Sequence, residues 1–399
     1  MQSSTQKTKS TRRRVFILTS NPFPVGNVAT NRFSTYAKVL ASRGCDVKVL
    51  ILKGTEDPAS PINKNRLGVF EGVRYEYMSR DSTWNTKAPQ WKKAVLYFFG
   101  IVRAVQCLAK ERPSSVILYT NDLLYMALFG FVARLVRFRY VIDKSEYPVV
   151  YRRRKSLYRS LYLKTFRLFD GILVMTEELK SFYSSIKQKQ CELFLLPMSV
   201  DLSRFSSARK IDGVGPYFGC VFGVHNRDCI ADTIKAFYLF CSEHPTSDVR
   251  LKLIGDIESL AGRDEVLRVY ESSEYRARVE FLGTVVATEV PSFLTSAIAL
   301  ITTPREYVSG GFPTKLGEYL ATGNPVIATA AGEVSNYLED SKNCFLAQPA
   351  DVRHLADLMR VVWSSPEFVR TVGAAGKCLA SDVFSVESYA DDLIEFLLK

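Results

Sequence analysis

The chain has 399 residues, 47% apolar and 24% charged, a composition that suits two or three globular domains and excludes a single small module, a disordered chain and a collagen-like one. Its 53 Lys+Arg and 41 Asp+Glu are unevenly placed: residues 1–200 hold 34 and 14 of them, leaving the first half at +20 and the second at −8, for a net +12. A basic half attracts an anionic surface that an acidic half repels, so a protein that wraps nucleic acid along its whole length is excluded.

Met1–Arg14 is a basic, Ser/Thr-rich leader expected to be a flexible tail. It has no apolar core followed by a cleavage pattern, and no later run reaches about 18 uncharged apolar residues, so neither secretion by that route nor a membrane span is expected. Val15–Thr19 then reads as a strand, Asn21–Asn27 as a loop, Ala29–Arg43 as a helix stopped by Gly44, and Val47–Leu52 as a second strand. Strand, helix and strand with short joints make a βαβ unit, whose ligands bind at the carboxyl ends of the strands. The alternation continues through strand Val116–Tyr119, helix Leu123–Val136, strand Tyr140–Asp143 and strand Gly171–Thr176.

It stops near Phe205, and Ser206–Pro216 reads as a linker. A second series follows: strand Tyr217–Gly223, helix Ile230–Ser242, strands Leu251–Ile254, Val279–Gly283 and Ala299–Thr303, helix Thr314–Ala321 and strand Val326–Thr329. The expected architecture is α/β, with an N-terminal domain over 15–205 and a C-terminal domain over 206–384. The eight cysteines form no Cys-x-x-Cys pair and have no metal-binding spacing with His225, His244 and His354, so they read as small buried hydrophobes in a reducing compartment, and no metal is expected.

The richest segment for chemistry is Gly310-Gly311-Phe312-Pro313-Thr314-Lys315-Leu316-Gly317-Glu318. A glycine pair admits close backbone approach, and Pro313 with Thr314 opens a helix whose unpaired amides make an anion site. Lys315 adds a mobile positive charge, and Glu318, one turn on, is placed to accept hydrogen bonds from neighbouring hydroxyls such as those of a ribose. The same run also reads as a capped core helix with a solvated lysine.

Glu318 followed by Ala321-Thr322-Gly323-Asn324-Pro325-Val326-Ile327-Ala328 resembles the donor-binding motif of the GT4 family of GT-B glycosyltransferases, in which a Glu, seven residues and a second Glu precede Ala-x-Gly-x-Pro-Val-Ile-Ala. Gly310 stands where that family has its first Glu. Pro197-Met198-Ser199-Val200-Asp201 with Phe205, and Gly171–Thr176 before it, are similar to further family segments. The resemblance implies two Rossmann-like domains facing each other across a cleft, a last helix over 385–399 packing back on the first domain, and retention of anomeric configuration without a metal or other cofactor. It implies that Gly26, Gly223, Arg227, Gly311, Phe312, Pro313, Thr314, Lys315, Leu316 and Glu318 form the donor site, with Arg227 and Lys315 neutralising the diphosphate. Glu146 is the candidate to orient the acceptor or act as base. Against these stand plainer readings: a turn at Gly26, a surface charge at Arg227, and pairing of Asp143 and Glu146 with Lys144 and the arginines at 152–154.

Tyr151–Leu168 carries Arg152, Arg153, Arg154, Lys155 and Arg159 among aromatic and aliphatic residues, with no acid from Pro148 to Leu168. Such a stretch suits an anionic membrane surface, and Trp91–Arg112 is a second candidate, though either could pack its apolar face into the core. A dehydrogenase would need Gly-x-Gly-x-x-Gly after a strand, which is absent, and Gly373–Cys378 is only a partial Walker A. The expectation is a cytoplasmic enzyme, peripheral on the cytosolic face of a membrane, that takes a nucleotide sugar and a glycan or lipid-linked acceptor and binds no nucleic acid. A nucleotide-sugar epimerase of the same fold and a non-catalytic basic scaffold are the alternatives.

Overall fold

The computed structural model describes residues 13–85, 87–148, 157–306 and 310–399. The chain divides into unit 1, Met1–Leu196 with Tyr389–Lys399, and unit 2, Pro197–Ser388.

Unit 1 is built on β1 (Arg14–Thr19), β2 (Asp46–Ile51), β3 (Leu67–Phe70), β4 (Val73–Tyr77), β5 (Ser115–Tyr119), β6 (Arg139–Lys144), β7 (Gly171–Val174) and β8 (Glu192–Leu195). They form one sheet in the order β3-β4-β2-β1-β5-β6-β7-β8. Every neighbouring pair is parallel except β3 and β4. That hairpin is absent from the sequence reading; its turn is Glu71-Gly72, both at positive φ (47° and 79°), the conformation that matches the twist of a two-residue β-hairpin. The central strands are apolar on both faces, as a sheet covered by helices requires.

The helix Val28–Ser42, capped by the Asn27 side chain, joins β1 to β2 in one direction along the sheet. Helices Gln90–Glu111, Leu123–Val136 and Leu157–Lys164 join β4 to β5, β5 to β6 and β6 to β7 in the other. Right-handed crossovers running in opposite directions lie on opposite faces, so these three helices share one face and Val28–Ser42 takes the other. The helix Ala390–Leu398 contacts the helix Val28–Ser42 and β6. Its Phe396 ring lies 5.2 Å from Phe194 and 5.1 Å from the Arg139 guanidinium. Gly171 makes room for that ring, since a β-carbon there would stand 2.5 Å from it.

Unit 2 carries a six-stranded, wholly parallel sheet in the order β11-β10-β9-β12-β13-β14. Its strands are β9 (Tyr217–Val221), β10 (Arg250–Ile254), β11 (Val279–Gly283), β12 (Ala299–Thr302), β13 (Val326–Thr329) and β14 (Phe345–Ala347). Phe218, Phe237 and Phe240 anchor a core that also takes Leu355 and Met359 of the helix Val352–Ser364. The boundary between the units corrects the expected one at residue 205. Pro197–Phe205 belongs to unit 2 because Met198 and Val200 pack on Gly317, and the Val200 N–H donates to Phe384 O at 2.9 Å. The return to unit 1 likewise begins at Tyr389 rather than 385. All eight cysteines are free thiols.

Candidate functional site

In unit 2 the chain leaves β9 toward β10 and reaches β12 on its other side, so the carboxyl ends of β9 and β12 meet at a switch point, where a parallel sheet leaves its edge open. A turn follows β9. Asn226 at φ +49° donates its N–H to Gly223 O at 3.0 Å, and its side-chain oxygen accepts from Ile230 N at 3.1 Å, opening the helix Ile230–Glu243. Gly223 is exposed, and a β-carbon there would meet nothing within 4 Å. Arg227 is exposed on the same turn.

The helix Thr314–Ala321 begins against this turn. Pro313 occupies its cap position and supplies no side-chain hydrogen bond to the first-turn amides, and Thr314 is the first helical residue. Tyr319, fully buried, accepts the Val221 N–H at 2.7 Å on its hydroxyl, fastening the helix where β9 ends. Lys315 is tied down as well. Its ammonium donates to Val221 O at 2.5 Å and to the buried carboxylate of Asp228, whose other oxygen accepts from Thr302 Oγ1 at 3.0 Å. Two of three ammonium hydrogens are therefore spent inside the protein, and the mobile charge expected of Lys315 becomes a fixed one that can direct one N–H outward.

Glu318 also differs from expectation. Its Oε1 accepts from Arg204 Nη1 at 2.6 Å, while Oε2 accepts no hydrogen bond from a described residue. Ribose hydroxyls would meet one carboxylate oxygen beside a guanidinium. Phe312 packs between Tyr337 and Phe384 at 5.4 and 5.5 Å, and Leu316 is fully buried. Their side chains fill the core, so neither of these two presents its side chain at the open sheet edge where the sequence reading had placed it. Gly310 has φ +66°, a left-handed conformation that costs an L-residue roughly 1–2 kcal/mol, which accounts physically for glycine where the related motif has Glu.

In unit 1 the switch point lies between β1 and β5. Gly26 stands in the loop after β1, where a β-carbon would come 2.3 Å from Thr30 Oγ1; the packing of the loop itself demands glycine. Asp143, at the end of β6, is buried and pairs with Arg32, whose Nε lies 3.0 Å from Oδ2 and whose Nη2 donates to Leu196 O at 3.0 Å. The plainer alternative, Asp143 paired with Lys144, is thereby corrected. Lys144 points elsewhere, donating to Asn121 Oδ1 and, at 3.2 Å, to the Tyr162 hydroxyl, with its ammonium 5.3 Å from the Phe166 ring centroid. Glu146 is half-buried one turn beyond, and its carbonyl accepts from the Tyr183 hydroxyl at 3.3 Å.

Burial pushes the Lys144 ammonium down to about 7, against the pull of Asp143. Between that value and the usual lysine range the unfolded chain binds a proton that the folded one does not, so stability rises with pH across this window, by at most about 1.4 kcal/mol per unit, and the loss is complete below it. Thermal midpoints of unit 1 measured from pH 6 to 10 are expected to climb in the wild type and to flatten in Lys144→Met, with the variant gaining most at the acid end.

Residues 215–365 match the family described as glycosyl transferases group 1. Unit 2 carries a glycosyl transferases group 1 domain. The chain as a whole has the GT-B fold. It is similar to a sucrose-phosphate synthase from Thermosynechococcus elongatus, at 16% identity and TM-score 0.73 over 96% of this chain and 98% of that one. It is similar also to Anabaena HepE in complex with UDP and glucose, at 14% identity and TM-score 0.65 over 96% and 99%. In sequence, 142 residues are 25% identical to the alpha-1,3/1,6-mannosyltransferase ALG2 of Mus musculus, covering 36% of this chain and only 33% of that relative.

The group 1 domain thus brings Gly223, Arg227, Gly311, Pro313, Thr314, Lys315 and Glu318 to the carboxyl edge of one sheet, whereas Gly26 and Glu146 lie at the edge of the other. Arg152, Arg153, Arg154 and Lys155 lie outside the described residues; Arg159 sits on the helix Leu157–Lys164. Sequence reasoning missed Asp228, Arg204 and Tyr319 in unit 2 and Arg32 in unit 1. The only sequence signal for Asp228 was its place beside Arg227 after a strand.

Proposed function

We propose that the chain is a retaining, metal-independent glycosyltransferase of GT4 type that moves a sugar from a nucleotide-sugar donor to a glycan or lipid-linked acceptor at the cytosolic face of a membrane, in cell-surface polysaccharide or glycolipid synthesis. The observation that carries the reading is the joining of the Thr314–Ala321 helix start to the open Gly223 turn by Lys315 and Tyr319, which gathers helix amides, a fixed ammonium and Arg227 at one sheet edge. Such donors favour the negative charge that grows on a departing diphosphate without having to reorganise. Breaking the bond between sugar and phosphate oxygen while the acceptor oxygen attacks from the same side retains configuration; the acceptor proton passes to the leaving phosphate, with Glu146 orienting the hydroxyl. The likeness to HepE solved with UDP and glucose and to a trehalose-6-phosphate protein from E. coli solved with UDP-2-fluoro glucose supports a uridine donor, and the mannosyltransferase likeness supports mannose as a second candidate sugar.

Thermal unfolding with UDP, GDP, ADP, CDP and their sugar conjugates, with and without EDTA, tests this. Stabilisation of about 2.7 kcal/mol is expected at a hundredfold excess over Kd for one base, unchanged by EDTA. No shift with any nucleotide would overturn it in favour of a scaffold. Because Gly223 faces open space, Gly223→Ala is expected to leave the ligand-free midpoint unchanged and to weaken the stabilising nucleotide about tenfold. Glu318→Ala is expected to weaken it ten- to hundredfold by removing charge-assisted hydrogen bonds, at a stability loss of about 1 kcal/mol or less. Both are read by titration calorimetry.

A further inference from the structure

The three helices on one face of the unit 1 sheet form a continuous layer, in which Gln90–Glu111 contacts Leu123–Val136, and the turn Thr165–Leu168 joins Leu123–Val136 to Leu157–Lys164. Its outer surface is apolar. Gln90–Glu111 turns Gly100, Ala104 and Leu108 inward and leaves Trp91 and Phe98 65% and 62% exposed on the opposite side. Leu123–Val136 buries Tyr125, Met126, Phe129 and Ala133, yet its outer face carries Leu124, Phe131 and Leu135, each more than 60% exposed. A helix that is apolar all round is one that something else covers.

The charges around this surface say what covers it. The three helices contain a single acid, Glu111, held by Lys48 and Arg74, whereas Lys92, Arg134 and Lys164 are exposed cations. A second copy of the chain would bring the same cations against one another, which disfavours pairing. An anionic phospholipid leaflet accepts the apolar side chains below its headgroups and the cations among them. Among the described residues no helix is long and apolar enough to cross a membrane, so the layer lies on the leaflet.

We propose that this three-helix face, centred on Leu124, Phe131 and Leu135, is the surface by which unit 1 docks on an anionic phospholipid leaflet. The inference deepens the membrane part of the proposed function and rests on it; it assigns the contact to a helix that the sequence reading had not considered for this role.

Sedimentation of the full chain with phosphatidylcholine vesicles, with and without phosphatidylglycerol, tests it against the uncharged triple variant Leu124→Ser/Phe131→Ser/Leu135→Ser. Wild type is expected to pellet with the mixed vesicles, and the variant to partition about a hundredfold more weakly while keeping the wild-type thermal midpoint of unit 1, which certifies the fold of the unit that carries the changes. Brominated acyl chains are expected to quench wild-type emission and not that of Trp91→Phe. Equal pelleting of the triple variant overturns the assignment of this face but leaves membrane binding standing. Wild type that ignores both vesicle types overturns both. A wild-type dimer that becomes monomeric in the triple variant overturns the inference in favour of a second copy. Nucleotide binding is read separately, so its failure leaves the vesicle result intact.

Discussion

Lys315→Ala is expected to cost unit 2 about 3 kcal/mol, because it strands a buried carboxylate whose other partner is the neutral hydroxyl of Thr302. For a unit of this size that lowers its unfolding midpoint by about 10 °C. The mobile charge that the sequence suggests at Lys315 would instead leave the fold intact on substitution, because a mobile ammonium holds no buried partner. Combining Lys315→Ala with Asp228→Asn removes the uncompensated charge and is expected to recover at least 1 kcal/mol, a coupling that a solvated lysine would not show. Differential scanning calorimetry of the two singles and the double decides it. Additive losses would mean that the pair is not coupled. Nucleotide stabilisation should stay reduced in the rescued double, since the outward N–H is gone.

Arg32→Met is expected to have the larger effect in unit 1. Both members of its pair with Asp143 are essentially excluded from water, at 4% and 0% exposure, so the surviving carboxylate loses its counter-charge with no solvent to replace it. A loss of 3–5 kcal/mol, or roughly 10–15 °C in the unit 1 transition, is expected, with the nucleotide-responsive transition of unit 2 unmoved. Arg32→Lys should recover only part of this, because one ammonium cannot reach both Asp143 oxygens and Leu196 O in the geometry of the guanidinium. A shift of both transitions together would instead show that the two units unfold as one.

The strands and helices that carry the candidate site could be read from the sequence because each has its own local signal: a β-branched run closed by turn residues, or apolar spacing ended by glycine. Val15–Thr19 and Thr314–Ala321 are examples, found within a residue of where the structure has them. What fixes the side chains was not legible. Lys315 meets Asp228 across 87 residues of sequence, Arg204 meets Glu318 across 114, and Arg32 meets Asp143 across 111. Such pairs exist only because the fold brings together segments far apart in sequence, as the strand-order switch between β9 and β12 does for Lys315 and Asp228, and periodicity carries no trace of them. The β3–β4 hairpin was missed for a different reason, since its four- and five-residue strands are short and Leu67 and Val69 point to solvent.

The placement of Tyr389–Lys399 in unit 1 has a consequence for synthesis on the ribosome. The notch at Gly171 and Phe194 that receives Phe396 is made early, but the helix that fills it emerges only after Pro197–Ser388 has been translated. At ordinary elongation rates that interval is roughly ten to forty seconds. Throughout it the nascent first unit carries an uncovered apolar strip beside β7 and β8, a target for holding chaperones, and that part of the sheet is covered only once the whole of unit 2 has been made.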